Sequence, residues 1–283
     1  LYAGVFMNWV IAALLFTVLA LTGLPKIVPD QFTIPGDTTI QTSPVQVTQL
    51  AADYPAAKAG LEAGDTILTI DGQQITTTQQ VIDVTKENRG QTVPITYERN
   101  GKQTRADVAL RDADSAVFGA SLGQNETIHA TWSAPIVGIV TTGQFTWVTL
   151  QGLGDLVVNL VGGLVGQLNV SEAGRQEASK QLGEAGASVA GPVGILGVIF
   201  PAASEAGLSQ LVFLAAIISL TLAVMNALPI PSLDGGRWFV TALYRVLKKP
   251  LTKEKEESIH GTGFMVLMGL VVIITIADVA KLF

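Results

Sequence analysis

The chain has no cysteine among its 283 residues, which excludes disulfides and thiolate metal sites. Charge is also scarce: 14% of residues carry it, against about 25% in a soluble globule. Only two histidines are present, His129 and His260. A net charge of -6 leaves no basic field for a polyanion, so nucleic acid is not an expected partner. What the chain does have is long uncharged apolar runs, at residues 1–25, 206–233 and 261–277. The first two exceed the roughly 20 residues needed to cross a bilayer, and the third does so with its flanks, to about Leu282. The expectation is a polytopic α-helical membrane protein with transmembrane helices at 1–25, 206–233 and 259–282. The first run lacks a basic start and is too long for the core of a cleaved signal peptide. It opens at Leu1 inside an apolar stretch rather than on methionine, and the chain is expected to lack its N-terminal segment.

Basic residues set the orientation. Arg237, Arg245, Lys248, Lys249, Lys253 and Lys255 fall in a loop at 237–258, which should face the cytoplasm. The insert from Lys26 to Glu205 carries ten Lys/Arg against eighteen Asp/Glu and should lie on the other side. Three spans would then place Leu1 at the cytoplasmic face and Phe283 outside. Segment 133–168 has one charge, Asp155, and glycines such as Gly138, Gly143, Gly152, Gly154, Gly162 and Gly163 that weaken a helix. It reads as helices lying at the membrane surface, with a pair of further spans as the alternative. Segment 169–205 reads as a linker, polar from Arg175 to Glu184, leading into Gly191-Pro-Val-Gly-Ile195.

Residues 42–111 read as a compact β-rich α+β domain. Val45 to Leu50 and Thr66 to Ile70 alternate or run as strands, the second closing on the turn pair Asp71-Gly72. Thr78 to Asn88 reads as a helix capped by Thr78, and Val93 to Arg99 with Lys102 to Leu110 as a hairpin around Asn100-Gly101. Pro55-Ala-Ala-Lys-Ala-Gly-Leu61, followed by Glu62-Ala-Gly-Asp65, resembles the PDZ domains of bacterial envelope proteases. The resemblance implies a loop at Ala59, Gly60 and Leu61 that receives a peptide carboxylate, beside a strand edge for an extended peptide. The same fold also serves as a spacer or size filter that binds no C-terminus.

The run Asn226-Ala-Leu-Pro-Ile-Pro-Ser-Leu-Asp-Gly-Gly236 places one carboxylate, Asp234, at the end of an otherwise apolar span. Pro229 and Pro231 each remove a backbone donor and interrupt the helix, and Gly235 and Gly236 permit backbone angles that other residues resist. A broken helix carrying an acid at membrane depth is a site for an ion, metal or substrate. Equally, the span could end at Pro229 and Asp234 could cap the next helix among headgroups.

Three elements in order resemble the site-2 protease family of intramembrane zinc metalloproteases, in the bacterial branch with a PDZ insert. They are Gly4-Val-Phe-Met-Asn8, Gly191-Pro-Val-Gly-Ile195, and Asn226-x-x-Pro229-x-Pro231-x-x-Asp234-Gly235-Gly236. The resemblance implies Zn2+ as cofactor, held by two histidines of a His-Glu-x-x-His helix and by an aspartate that matches Asp234. It implies that the glutamate of that helix activates zinc-bound water. Asn226, Pro229 and Pro231 would hold the substrate extended; Asn8 would support the same region or bond to a neighbouring helix. Partners implied are single-span membrane protein substrates and the lipid bilayer, with peptide C-termini at the PDZ domain possible. The localisation implied is the cell membrane, with the PDZ domain extracytoplasmic.

The sequence departs from the family in one respect: it contains no His-Glu-x-x-His. His129 reads as an exposed loop residue and His260 as an interfacial one, so this chain supplies one zinc ligand, Asp234, no catalytic residue, and should be inactive alone. The competing reading is a non-catalytic membrane PDZ scaffold or chaperone. A broken-helix transporter would need a matching interrupted helix, which is absent, and a serine protease would need a Gly-x-Ser-x-Gly or Gly-Asn-Ser-Gly-Gly run, also absent.

Overall fold

The computed structural model describes residues 3–168, 171–187 and 191–282. The chain divides into two compact units, one of Leu1–Leu24, Val28–Thr38 and His129–Phe283, the other of Pro25–Ile27 and Thr39–Ile128.

The first unit is helical. Helix α1 (Ala3–Thr22) is apolar all round, yet buries only Ala12, Ala13, Phe16, Leu19 and Ala20. Small residues on that face let its neighbours approach closely. In sequence, the second unit separates α1 from the later helices of this one. Helix α4 (Ala134–Gly166) is one unbroken element of 33 residues, about 50 Å long. This differs from the several surface helices expected at 133–168. The glycines that weaken it in isolation are where partners touch it: a Cβ on Gly138 would lie 2.3 Å from Thr17 Oγ1, and one on Gly163 2.6 Å from Leu182. The polar stretch expected as a linker is the middle of α5 (Glu172–Ala187), which buries Ala178 and Ala185. Then come α6 (Pro192–Gly194), a π-helical stretch (Ile195–Ile199), α7 (Phe200–Glu205) and α8 (Leu208–Ala227). Helices α9 (Asp234–Val246) and α10 (Lys253–Leu282) complete the unit. The loop expected at 237–258 is therefore mostly helix, and α10 starts six residues before the span expected at 259. Among the described residues, four helices, α1, α4, α8 and α10, are long and apolar enough to cross a membrane.

Helices α1, α4 and α8 meet at three phenylalanines. Phe16 lies 5.3 Å from Phe145 and 6.1 Å from Phe213, edge to face, the preferred arrangement of ring quadrupoles. Trp9 Nε1 donates to Thr146 Oγ1 (3.2 Å), and Ser219 Oγ donates to the Asn8 carbonyl (2.9 Å). Low numbers on α1 thus pair with high numbers on both partners, so α4 and α8 each run antiparallel to α1. Helix α5 packs back along α4, with Ala178 at Gly166 and Leu182 at Gly163. The end of α8 therefore lies beside the start of α1, whether or not α4 crosses the bilayer.

The second unit carries β1 (Leu24–Pro25), β2 (Thr39–Thr42), β3 (Gln46–Leu50), α2 (Pro55–Lys58), β4 (Thr66–Ile70), β5 (Gln73–Gln74), α3 (Thr78–Glu87), β6 (Thr92–Arg99), β7 (Lys102–Ala109), β8 (Ala120–Gly123) and β9 (Glu126–His129). The main sheet runs β7-β6-β4-β3-β8, with β5 on β4, and a smaller one runs β1-β9-β2. Asn100-Gly101 and Asp71-Gly72 both take the paired positive φ of tight hairpin turns. Thr77, one residue earlier than expected, caps α3 in a reciprocal box with Gln80. Ile67 and Ile70, on either side of a register shift in β4, and the alternating Val93, Ile95 and Tyr97 of β6 fill the core with Val45, Val47 and Val108. The domain extends past the expected boundary at 111, because β8 (Ala-Ser-Leu-Gly) pairs with β3.

Asp37 ties the entry of α4. It accepts hydrogen bonds from the N–H and hydroxyl groups of Thr131 and Ser133. The Ser133 hydroxyl, then that of Thr131, lowers its pKa from 3.8 to about 2 against a smaller opposing effect of burial. A carboxyl whose pKa falls on folding stabilises the folded state above its unfolded value and loses that contribution as pH drops through the folded one. Thermal stability in detergent should therefore fall between about pH 4 and about pH 2, and Asp37→Asn should remove this component of the acid sensitivity.

Candidate functional site

The polypeptide turns back on itself after α8. Pro229 and Pro231 cannot continue a helix, and residues 228–233 cross over the first turn of α9. The crossing is backbone against backbone. A Cβ on Gly235 would lie 2.2 Å from the Ala227 carbonyl oxygen, and one on Gly236 1.9 Å from that of Ile230. Gly263 of α10 closes the other side, where a Cβ would lie 2.4 Å from the Pro231 oxygen. These glycines serve close approach; Gly235 and Gly236 are helical, so the unusual backbone angles expected there are absent. The unusual angle falls instead on Ser232, with φ of 89°. A non-glycine residue there costs on the order of 1–3 kcal/mol and needs support from its surroundings. His260 provides it: Nδ1 accepts from the Ser232 N–H at 2.9 Å. His260 is thus a brace for the turn rather than only an interfacial side chain. Its Nε2 is buried with no hydrogen-bond partner among the described residues.

This turn presents Asp234 as the first residue of α9, with Leu233 in the capping position. Its carboxylate is half-buried and makes no ion pair or hydrogen bond among the described residues. A Cβ on Gly4 would stand 3.8 Å from Asp234 Oδ2, so the Gly4-to-Asn8 and Asn226-to-Gly236 motifs come together. Asn226 and Asn8 are each half-buried, and neither side-chain amide has a hydrogen bond among the described residues. The helix-to-helix bond at Asn8 is made by its carbonyl. Pro229 is exposed, and Pro231 lines an apolar groove of about 500 Å³ with Ile230, Ile259, Val266 and Leu267. Tyr2, whose place at the head of the first apolar run suits an interfacial anchor, lies outside the described residues.

The Gly191-to-Ile195 element is not gathered with Asp234 along α10. It packs at Ile274 and Asp278, some 18 residues or about 27 Å beyond His260. Asp278, one residue past the charge-free window, is 4% exposed and accepts from the Gly194 N–H at 2.8 Å. The sequence signal for it was the lone acid near the end of an apolar run.

Zinc needs three or four N, O or S donors. Among the described residues no group of three or more His, Cys, Asp or Glu is placed to hold a metal ion. Asp234 is a single donor, and His260 is committed through Nδ1 to Ser232. These residues do not by themselves fit a zinc ion.

In the β-rich unit, the loop at Ala59, Gly60 and Leu61 is not a carboxylate cradle. Its three N–H groups bond to the carbonyls of Pro55, Ala57 and Ala56, closing α2 on itself. Leu61 points into the core. Arg99 holds the rest of this loop, donating to the Gly60 carbonyl (2.8 Å), Glu62 (2.7 Å) and Asp65 (2.7 Å). Burial pushes the Asp65 carboxyl up, but the bonds from Arg99 and the Glu62 N–H outweigh it and hold it below its usual value. The open edge is elsewhere. Strand β8 and helix α3 flank a groove of about 130 Å³ lined by Val81, Ile82, Thr85, Phe118 and Ala120. At its end the carbonyls of Val117, Phe118 and Gly119 are engaged, while their N–H groups have no partner among the described residues.

The backbone crossing yields a paired test. Gly236→Ala should destabilise the protein by several kcal/mol, seen as a lower midpoint of thermal unfolding in detergent. Gly269→Ala, also helical but facing open space, should be neutral or slightly stabilising.

The sequence profile of peptidase family M50 matches residues 1–270. The chain is 30% identical over 230 residues to "Zinc metalloprotease RasP" of Shouchella clausii, covering 81% of this chain and 50% of that protein. It is 28% identical over 296 residues to the protein of the same name in Oceanobacillus iheyensis, covering 100% of this chain and 59% of that one. It is 28% identical over 284 residues to "Regulator of sigma-W protease RasP" of Bacillus subtilis, covering 99% and 58%. The chain thus spans about half to three-fifths of the length of these curated relatives. Among solved structures, the PDZ domain of the SdrC-like protein of Listeria monocytogenes is similar at 32% identity and a TM-score of 0.25, covering 32% of this chain and 93% of that one. With a profile match along nearly its whole length, this chain belongs to peptidase family M50.

Proposed function

We propose that this chain forms the part of an intramembrane zinc endopeptidase that contributes the aspartate ligand and the substrate-positioning turn. The observation that carries the reading is Asp234: a half-buried carboxylate with no partner among the described residues, at the start of α9 just past the turn that ends apolar helix α8, and beside α1. Such a charge is unfavourable at that depth unless a cation compensates it. The relatives are named zinc metalloproteases. The other zinc ligands and the general base would come from parts of the protein beyond the residues present, and this chain would not cleave peptides alone.

The residues at hand would act on the substrate. A membrane-spanning helix hides its carbonyls in its own hydrogen bonds, so it must unwind before hydrolysis. The Asn226 and Asn8 amides offer donors and acceptors to the unwound strand. The apolar groove beside Pro231 would receive its side chains. Substrates would be single-span membrane proteins. The basic segment from Arg237 to Lys255 would face the cytoplasm, placing Asp234 near that side and the PDZ-type insert on the other. The groove between β8 and α3 would take a substrate C-terminus, its carboxylate on the N–H groups of Val117, Phe118 and Gly119.

Asp234→Asn in the full-length protein should lower zinc content and abolish cleavage of a membrane-anchored reporter, with insertion unchanged. Full metal loading with normal cleavage would remove Asp234 from the ligand set. For the insert, peptides with a free C-terminus should bind at least tenfold tighter than amidated ones, by fluorescence anisotropy, and Ile82→Asp should weaken that binding. Equal affinity for both forms would leave the insert as a spacer.

A further inference from the structure

Helix α9 has two chemically distinct sides. At 100° per residue, Gly235, Gly236, Phe239, Val240, Leu243, Val246 and Leu247 fall in one arc of about 140°. Arg237, Thr241 and Arg245 fall in the opposite arc, and Lys248 and Lys249 follow at the C-terminal turn that ends the helix. The beginning of the apolar arc is seated, with Gly235, Gly236 and Val240 buried. Its continuation is not: Phe239, Leu243 and Leu247 are exposed, and Val246 is 77% exposed. Trp238 sits exposed at the border of the two arcs.

Charge is concentrated here. Residues 237–255 hold six Lys/Arg and one Asp/Glu, leaving eleven basic and twenty-two acidic residues for the rest of the chain. Among the described residues, none of the Arg237, Arg245, Lys248 or Lys249 side chains is in a salt bridge. Both ends of α9 are tied to membrane-length helices, α8 before it and α10 after it, so the helix cannot leave the level of the bilayer surface. An aqueous protein partner would have to cover apolar side chains at that level while competing with the lipid already present.

We propose that α9 is a binding site for anionic phospholipids, laying Phe239, Leu243, Val246 and Leu247 into the acyl boundary while Arg245, Lys248 and Lys249 hold headgroup phosphates. Its first residue is Asp234, so the headgroup contact also sets the depth of that carboxylate. This site needs no metal and stands whether or not the chain is part of a protease.

The test uses the full chain in nanodiscs of phosphatidylcholine with or without phosphatidylglycerol. In a variant with Trp9→Phe, Trp132→Phe and Trp147→Phe, Trp238 fluorescence should be quenched by lipids brominated in the upper acyl chain, and more strongly when phosphatidylglycerol is present. Separately, in the natural tryptophan background, Arg245→Gln with Lys248→Gln and Lys249→Gln should reduce the phosphatidylglycerol retained on the detergent-purified protein about tenfold, by mass spectrometry. Each measurement stands if the other variant fails to fold. An unquenched Trp238 would place the helix off the bilayer, facing water or a soluble protein, and would overturn the proposal. Equal phosphatidylglycerol retention in the charge variant would do the same.

Discussion

The arrangement around Asp234 depends on one close approach of backbone to backbone. Residues 228–233 can cross the first turn of α9 only because Gly235 and Gly236 have no Cβ, and can meet α10 only because Gly263 has none. Steric exclusion of this kind is steep, so the crossing defines one position rather than a range. It places the carboxylate at the start of α9 and next to Gly4 of α1. The left-handed Ser232 is the strain that this sharp return imposes, and the His260 acceptor offsets it.

The same device recurs between helices. Gly138 lets α4 lie against the backbone of α1 at Thr17, and Gly162, Gly163 and Gly166 let α5 lie along α4. A glycine weakens a helix by about 1 kcal/mol in isolation, but here each opens contact with a neighbour that a side chain would forbid. The Phe16, Phe145 and Phe213 cluster then fixes the register of α1, α4 and α8. With α8 antiparallel to α1, the two motif-bearing ends converge at one end of the bundle.

The membrane-length runs of α1, α8 and α10, the hairpins at Asp71-Gly72 and Asn100-Gly101, the strands β3 and β4 and the helix α3 were all legible in the sequence. So was the family, because its motifs occur in order. The expectations that needed correction share a cause. The continuity of α4 and the helix α5 were obscured because glycine count and polarity are local measures, and both helices are stabilised by packing on each other. Strand β8 was hidden because its partner β3 lies some seventy residues earlier. The loop at Ala59, Gly60 and Leu61 looked suited to an anion by composition, yet its donors close their own turn.

By itself the sequence determined which segments are apolar enough to enter a bilayer, where tight turns fall, and that a lone acid ends one apolar run. Those properties reside in neighbouring residues: side-chain transfer free energy, proline's missing donor, and glycine's freedom at a hairpin. Only the tertiary structure decided that Gly4 stands beside Asp234, that His260 braces Ser232, and that Gly236 is required for contact rather than for backbone angle. Each of these joins residues far apart along the chain or on separate elements, and their proximity arises from helix packing that no local pattern encodes.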